Sequence, residues 1–572
     1  MNRAGGRWIR IAVLALVLAG LVGPILAGLW HTTNAAFGGL DGRAGAADWR
    51  APWRDLAALP GLARSAALSL WTGLAATGLA LSLSLSLAFG LVTLWHRFGR
   101  SARWLQMLTP FLAAPHSAMA VGLAFLIAPS GWIARLISPW ATSWRLPPDI
   151  GTVHDPLGLA LILGLVAKEL PFLLLIIVAA LGQIPVRHQI ATGQSMGYGR
   201  GQVWLLILLP ALYRLIRLPV YVVLAFSLSV VDMAIILGPS NPPTLAVAMT
   251  RWFTSADLAL FAPASAAALL MAALVVVAAA LWATCLAGLG WVGKCLIRHG
   301  VRRSIPWAGQ LVQAAGFLVL TLGGLGLLSS LIWSLSFRWR FPDALPESWT
   351  LSGWMQAGAG WHAAMATTAI VGACASIFSL VLAVLWLEGE TRGHFDRAAW
   401  AEGLIYLPLL IPQVAFLFGL HIFFLELGIG GDLWAVIWVH VIFVFPYVML
   451  ALSDPWRALD PRLMRTAAAL GAPPLRQLLM VRLPCLIGPL LTAVAIGFAV
   501  SVAQYLPTLF LGAGRVNTLT TEAVSLSSGA NRRIAGVFAV LQSLLPLIAY
   551  GLAVLVPTIL FRNRRGLRGG AV

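Results

Sequence analysis

The stretch RTAAALGAPPLRQLLMVRLP, residues Arg465–Pro484, is a basic and partly polar island in a chain that is otherwise largely apolar. A second such island, ATGQSMGYGRGQVWLLILLP, occupies residues Ala191–Pro210. We call residues 191–210 the first island and residues 465–484 the second island. In each island a glycine is followed thirteen residues later by a proline, and these pairs are Gly197–Pro210 and Gly471–Pro484. This spacing of Gly and Pro thus occurs twice in an apolar chain, and the repetition requires an explanation.

The high apolar content of the chain indicates whether water or a lipid bilayer surrounds the protein. Of the 572 residues, 60% are hydrophobic and only 10% are charged, and the mean hydropathy is +0.89. Soluble proteins of ordinary composition contain about 25% charged residues. A water-soluble core cannot absorb this much apolar surface, whereas a bilayer lets apolar side chains face outward. The sequence therefore predicts an all-α polytopic membrane protein, because its apolar runs are long and continuous rather than alternating.

A spanning helix needs about 20 mostly apolar residues. By this criterion the sequence predicts about twelve transmembrane helices. Their approximate bounds are 8–30, 66–94, 104–128, 157–182, 212–237, 258–288, 309–336, 361–387, 402–426, 433–453, 486–511 and 534–561.

The distribution of basic residues predicts the orientation. With both termini in the cytoplasm, 25 of the 38 Lys and Arg residues fall in cytoplasmic segments and 12 in external ones, and Lys168 lies within a span. Such a bias is typical of membrane topology, so the net charge of +19 does not favour nucleic-acid binding. Both islands are then cytoplasmic. The first span is interpreted as an uncleaved helix in preference to a signal peptide, because no small-residue cleavage motif closes it.

The islands belong to a longer repeat. Leu237-Gly238 and Leu511-Gly512 follow the two prolines at the same distance, as do Thr244-Leu245 and Thr518-Leu519. All these pairs are separated by one offset of 274 residues, close to half the chain. We therefore expect two homologous halves, 1–300 and 301–572, of six transmembrane helices each. An even number of spans makes the repeat parallel, with a pathway between the halves.

Each island lies between the fourth and fifth spans of its half. Glycine permits a tight turn, and proline suits the first turn of the next helix. Between them an amphipathic stretch, which includes Trp204 in the first island and Leu475 in the second, predicts a short helix along the membrane face. Such a helix either docks into a groove of a soluble partner or only anchors the loop. Two islands at matching places favour a partner with two equal grooves.

The order of small residues, Gly, twelve residues and Pro resembles the EAA loop of ABC-importer permeases. Both halves carry the loop, near residues 187–210 and 457–484, and the chain is most similar to the fused double permeases of the ferric-iron and thiamine importers. The resemblance implies that the loop is a coupling helix in a cleft of an ATP-binding subunit. The ATPase-coupling residues would be Gly197, Trp204, Pro210, Arg465, Gly471, Arg476 and Pro484. It further implies two copies of that subunit, an external solute-binding protein and a bacterial inner-membrane location.

The loops also depart from the family pattern. The family usually has Glu six residues before the glycine, where this chain has Ala191 and Arg465. We expect Arg465, Arg476 and Arg482 to seek acidic residues on the ATP-binding subunit instead.

The sequence shows no catalytic constellation, so we expect a transport subunit with no cofactor of its own, and ATP and Mg²⁺ on the partner. The stretch GLGWVGKC, Gly288–Cys295, approaches a phosphate loop but follows a long apolar span instead of a strand. LSSGANRR, Leu526–Arg533, faintly resembles an ABC-ATPase signature but lies in a segment expected outside the cell. The four cysteines lack metal-ligand spacing, and His421 and His440 are interpreted as packed residues.

Charged groups within spans are costly and often functional. Asp232 and Gln504, which lies in the region of the second half that corresponds to Asp232, are the candidates for the translocation path. The alternative for Asp232 is a helix-packing hydrogen bond or an end-of-helix acid near the outer surface. Lys168 and Glu169, as sequence neighbours, are expected on different sides of their helix. An ion-coupled secondary transporter is the alternative function, and it would require broken helices and convergent carboxylates near the midplane.

Overall fold

The computed structural model describes residues 15–39, 48–98, 108–302, 306–355, 360–392, 399–529 and 531–562. In the first part of the chain the helices are α1 Gly23–Ala36, α2 Ala51–Ala58, α3 Leu62–Phe98, α4 Thr109–Ala113, α5 His116–Ile127, α6 Trp132–Leu136, α7 Leu159–Leu181, α8 Val186–Ser195, α9 Arg200–Val203, α10 Leu209–Ser229, α11 Asp232–Leu237, α12 Leu245–Phe253 and α13 Phe261–Arg298.

The second part contains α14 Pro306–Leu335, α15 Ser352–Met355, α16 Trp361–Thr391, α17 Ala399–Leu410, α18 Val414–Glu426, α19 Leu433–Ala458, α20 Pro461–Ala469, α21 Pro474–Gln477, α22 Leu483–Cys485, α23 Ile487–Val502, α24 Leu506–Gly512, α25 Leu519–Ser527 and α26 Arg532–Leu560. Short π-helical turns, Leu18–Val22, Trp204–Leu208 and Leu478–Arg482, precede α1, α10 and α22. A 3₁₀ turn covers Leu258–Leu260, and strands β1 Ser336–Arg338 and β2 Ser348–Trp349 pair antiparallel.

The prediction of an all-α polytopic protein is confirmed. Among the described residues ten helices are long and apolar enough to cross a membrane, and there are twelve if each of two bent helix pairs counts as one span. The bent pairs are Gly403–Leu410 with Val414–Glu426, at 106°, and Pro474–Cys485 with Ile487–Val502, at 78°. Part of the first predicted span, residues 8–14, lies outside the described residues.

Four predicted spans are not continuous helices, which corrects the expected bounds. Span 104–128 is broken at Ala114-Pro115, span 212–237 at Val230-Val231, span 402–426 at Ile411–Gln413, and span 486–511 at Ala503–Tyr505. Proline supplies no N–H and forces the preceding residue out of the helical region, and Ala114 accordingly has ψ 125°. Interrupted backbone at membrane depth is tolerated where it lines a cavity, and all four breaks do so.

The offset of 274 residues recurs in the positions of the helices. The π-helical turns Trp204–Leu208 and Leu478–Arg482 correspond residue for residue, as do α12 and α25, and α11 and α24 begin at corresponding residues. The first amide of each of α12 and α25 also donates to a side-chain hydroxyl of a long helix, although the two acceptors are not separated by this offset. The N–H of Leu245 donates to Ser69 Oγ at 2.9 Å, and the N–H of Leu519 donates to Thr368 Oγ1 at 2.9 Å.

Glycines place helices from distant parts of the chain in close contact at two points. At Gly28 of α1 an added Cβ would lie 2.6 Å from the carbonyl oxygen of Phe416 in α18. At Gly122 of α5 it would lie 2.5 Å from the carbonyl oxygen of Gly326 in α14. Small residues let helix backbones approach closely in membranes. The helix that begins each predicted half therefore packs against the other half.

Candidate functional site

The four helix breaks surround one cavity of about 380 Å³. Residues from both predicted halves line it, and most of its lining is apolar. The polar side chains on its wall are His116, Lys168, Glu169, Ser229, Asp232, Gln413, Tyr447, Gln504, Tyr505 and Tyr550. The structure thus brings together the two candidate pathway residues, Asp232 and Gln504, at one cavity.

Lys168 and Glu169 both line this cavity, but their side chains have different partners. The Lys168 ammonium donates to the carbonyl oxygens of Phe111, at 2.7 Å, and Leu112, at 3.2 Å, and to that of Ala114. It therefore caps the C-terminal end of α4, where a positive charge is favoured by the helix dipole. All three ammonium protons have acceptors, so this lysine has a structural role.

The carboxylates are held by the N-terminal ends of the broken helices. Glu169 Oε1 lies 2.9 Å from Nε2 of His116, the first residue of α5. Asp232 is the first residue of α11 and is 6% exposed. Both acids are thus buried beside the N-terminal end of a broken helix. Sequence analysis missed His116, although a proline directly before a polar residue within an apolar run was a visible signal.

The second predicted half contributes amides and phenols to the cavity instead of charges. The Gln413 side-chain amide donates to Gln504 Oε1 at 3.5 Å across the gap between the α18 break and the α24 break. Tyr447 and Tyr505 lie on the same wall. Gln413 and Tyr447 were also missed from the sequence, because neither carries a charge and both sit in apolar runs.

His440 and His421 lie apart from the polar wall of the cavity. His440 is buried, and its Nδ1 lies 2.7 Å from Ser501 Oγ and its Nε2 2.9 Å from Thr508 Oγ1. It therefore holds α23 and α24 together across their break, as a packed residue. His421 Nδ1 is buried without a hydrogen-bond partner among the described residues.

The two islands share one backbone turn. Gly197 and Gly471 have φ +84° and +81°, in the left-handed region that favours glycine. In the first island the N–H of Tyr198 donates to the carbonyl of Gly193 at 3.0 Å, and in the second the N–H of Ala472 donates to that of Ala467 at 3.0 Å. Together with the glycine N–H bonds to Gln194 and Ala468, this is a Schellman cap in both islands.

The small residue before each turn has a packing reason. An added Cβ at Gly193 would lie 2.3 Å from Cγ2 of Val203, in the helix that follows the turn. The second island has Ala467 and Gln477 at these two positions, and Gln477 donates to the carbonyl oxygen of Ala472 at 2.7 Å. Both positions of this contact therefore hold a larger residue in the second island than in the first.

The islands differ after their prolines. Pro210 and Pro484 each follow a π-helical turn, which accommodates the missing N–H. The first island then continues into one uninterrupted candidate span, Arg200–Ser229, whereas the second is bent by 78° from α23. The predicted helix along the membrane face followed by a turn is thus wrong for the first island. Pro489 explains the bend, and Leu215 occupies the corresponding position of the first half.

The outer surface of the second island is apolar and basic. Leu470, Leu475 and Met480 are 84%, 66% and 71% exposed, and Arg465 and Arg476 are exposed beside them. In the first island Met196 and Leu205 are each 59% exposed, whereas Trp204 is 3% exposed and packs 5.5 Å from the Phe89 ring.

Arg482 is not part of that surface, which corrects its expected role. Its side chain is 8% exposed, and Nη1 donates to Oε2 of Glu388 in α16. Glu388 lies 94 residues upstream of Arg482, so no local pattern in the second island indicated this pairing.

The apparent phosphate loop at Gly288–Cys295 lies within the continuous helix α13. A helix interior satisfies its own amides, so no backbone N–H groups converge there on a phosphate. The ATPase-like stretch Leu526–Arg533 joins α25 to α26, and its Ala530 lies outside the described residues.

Broken helices that line a cavity between residues of both predicted halves are typical of membrane transporters. Comparison with known proteins specifies the family. Residues 375–563 match the family described as binding-protein-dependent transport system inner membrane component. The inner membrane ABC transporter permease protein YnjC of Escherichia coli K12 is 34% identical over 474 residues, which are 83% of this chain and 84% of that protein. The chain therefore belongs to the ABC-transporter permease family and is a multi-pass membrane protein.

Two further relatives are shorter matches. The putative 2-aminoethylphosphonate transport system permease protein PhnV of Salmonella typhimurium LT2 is 29% identical over 229 residues, which are 39% of this chain but 84% of that protein. The spermidine/putrescine transport system permease protein PotC of Escherichia coli K12 is 24% identical over 124 residues, 22% of this chain and 46% of that protein.

Proposed function

We propose that this chain is the fused double permease of an ABC importer, with halves 1–300 and 301–572. The observation that carries the proposal is the pair of islands, in which a Schellman cap, a π-helical turn and a proline recur at one offset of 274 residues. The match to PhnV supports the same division, because 39% of this chain corresponds to 84% of that single permease. One polypeptide then supplies both membrane domains of the importer.

The islands are the proposed docking sites for two copies of an ATP-binding subunit, which hydrolyses ATP. Exposed Leu470, Leu475 and Met480 form an apolar tip of the kind that enters a partner's groove. Arg465 and Arg476 beside it are placed to meet acidic side chains of that partner. Gly197 and Gly471 shape the turns, Pro210 and Pro484 end the π-helical turns, and Trp204 anchors the first island by packing.

The cavity is the proposed translocation path, with Asp232 and Gln504 on its wall. The substrate is a small solute, such as iron, thiamine or a related compound, delivered by an external binding protein. Because the Lys168 ammonium is occupied by carbonyl groups, carboxylate, amide and phenol oxygens dominate the polar wall. Such a wall suits a solute that donates hydrogen bonds. The proposed location is the bacterial inner membrane, with both termini in the cytoplasm.

Assembly with the ATP-binding subunit tests this function. The chain is co-expressed with the ATP-binding subunit of its own transport system, purified in lipid nanodiscs and assayed for bound subunit and ATP hydrolysis. Leu475→Glu and Leu205→Glu should each reduce the bound subunit by about half, and the double variant should reduce it at least about tenfold. Leu146→Glu, a control at a 78% exposed leucine outside both islands, should have no effect. Full assembly in both island variants would refute the proposal.

The family match argues against the ion-coupled transporter. The observation in its favour is that Glu169 and Asp232 line the cavity at the broken helices. Solute uptake that continues in the absence of the ATP-binding subunit and stops when the proton and sodium gradients are collapsed would favour it.

A further inference from the structure

A buried ion-pair network ties the second island to helix α16. Glu388, in the last turn of α16, accepts from Nε and Nη2 of Arg392 at 2.5 Å and from Nη1 of Arg482. The side chains of Glu388 and Arg482 are 11% and 8% exposed. The carboxylate therefore uses both oxygens, one for each arginine, in a site largely shielded from water.

The network holds the coupling segment Pro474–Arg482 at both ends. Arg482 is the last residue of the π-helical turn, and its guanidinium lies 5.3 Å from the ring centroid of Trp456 in α19. At the other end, Arg392 Nη2 donates to the carbonyl oxygen of Pro474 at 2.8 Å. One carboxylate thus fixes the start of the segment through Arg392 and its end through Arg482.

We propose that Glu388 is a positioning residue that transmits movement of the second island to α16 during the transport cycle. This inference rests on the proposed docking of an ATP-binding subunit at the islands. When the subunit displaces the coupling segment, the two charge-assisted hydrogen bonds carry the displacement to the end of α16. Such bonds are short and directional, and they act where water does not compete with them.

Among the described residues, the first half shows no equivalent of this network. Leu208 occupies the position that corresponds to Arg482, and it is fully buried. The sequence contains no Asp or Glu in residues 56–148 or 170–231, which include α3 and the whole first island. Movement of the first island reaches α3 through apolar packing, including the Trp204–Phe89 contact. Glu388 therefore serves one island alone.

The neighbouring ion pair offers a matched control. Glu390 lies two residues beyond Glu388 on the same helix and accepts from Nε and Nη2 of Arg457 at 2.8 and 2.9 Å. Arg457 belongs to α19, so this pair joins α16 to α19 and leaves the coupling segment untouched. A general requirement for ion pairs at the end of α16 would affect both acids equally.

The test compares Glu388→Gln with Glu390→Gln in the complex with the ATP-binding subunit, in a background without native cysteines. One pair of spin labels, at Ile370→Cys in α16 and Val276→Cys in α13, measures the movement of α16 in the second half. A second pair of labels, at Leu79→Cys in α3 and Ile548→Cys in α26, measures the movement of α3 in the first half. All four positions are exposed and apolar. Distances are measured with and without ATP and vanadate, together with the rate of ATP hydrolysis.

We expect Glu388→Gln to lose more than half of the ATP-driven distance change at α16 and to keep the change at α3. ATP hydrolysis should stay within about threefold of the parent, and Glu390→Gln should keep both changes. Arg482→Lys retains the charge without the guanidinium fork, and it should show the same selective loss to a smaller extent. If Glu388→Gln fails to assemble, the response of Arg482→Lys tests the proposed role of Glu388.

An unchanged α16 response in both variants, or equal loss of both responses, would overturn the role of Glu388. If the parent chain itself binds no ATP-binding subunit, the proposed function fails as well. The two failures are therefore distinguishable in one experiment.

Discussion

The two islands have nearly the same backbone but different anchors. Each combines a left-handed glycine, a Schellman cap, a π-helical turn and a proline at corresponding positions. The first island is fixed by apolar packing around Trp204 and Leu208 and runs without interruption into its span. The second is fixed by Glu388 and Arg482 and turns by 78°. Backbone geometry is thus repeated closely, whereas the chemistry that holds it in place differs.

Exchange of the residues that anchor the two islands, Leu208 and Arg482, should have the largest effect on folding and stability. Leu208→Arg places a charge in a fully buried site with no acidic residue on the adjoining segments, and an uncompensated buried charge costs about 3–5 kcal/mol. We expect little folded protein, measured as the monodisperse fraction after detergent extraction. Arg482→Leu leaves Glu388 paired with Arg392 and should cost about 1.5–3 kcal/mol. Equal losses in the two variants would contradict the difference in anchoring.

Substitution of the small residue before each turn, Gly193 or Ala467, should have the next largest effect on stability. Gly193→Ala places a Cβ against Val203, and such overpacking costs about 1–3 kcal/mol. The reciprocal change Ala467→Gly removes only one methyl group and should cost about 0.5–1 kcal/mol. Thermal unfolding in nanodiscs measures both. A larger loss for Ala467→Gly than for Gly193→Ala would show that the two turns pack differently from the described contacts.

Substitution of either turn glycine, Gly197 or Gly471, should lower stability by a similar amount. Gly197→Ala and Gly471→Ala each force a left-handed backbone on a residue with a Cβ, at a cost of about 1–2 kcal/mol. Gly471 has open space around an added Cβ, whereas Gly197 faces the Arg302 side chain at 3.3 Å, so Gly197→Ala should be slightly worse. A neutral result at either position would contradict the shared turn.

The smallest effect on stability is expected at the surface. Arg465→Ala should change the free energy of unfolding by no more than about 0.5 kcal/mol, because its side chain is exposed. It should nonetheless weaken binding of the ATP-binding subunit, and the difference from the parent should shrink at high salt because exposed charges are screened. Titration of the subunit at low and high salt measures this. A difference independent of salt would exclude an electrostatic role.

The sequence predicted what depends on local pattern. Long apolar runs indicated the membrane helices, and the spacing of Gly and Pro located both islands and placed Asp232 and Gln504 in corresponding regions of the two halves. Hydropathy averages over many residues, so the short breaks at Val230-Val231 and Ala503–Tyr505 left no signal. Pairings between distant segments were also invisible: Arg482 looked like a surface arginine because Glu388 belongs to another helix.

The most direct test of the account is the stoichiometry of the complex, measured by native mass spectrometry of the chain with its ATP-binding subunit. Two islands of equivalent backbone predict two ATP-binding subunits per chain, and disruption of one island by Leu205→Glu or Leu475→Glu should leave one. A parent complex with a single ATP-binding subunit, or with none, would contradict the claim that both islands are docking sites.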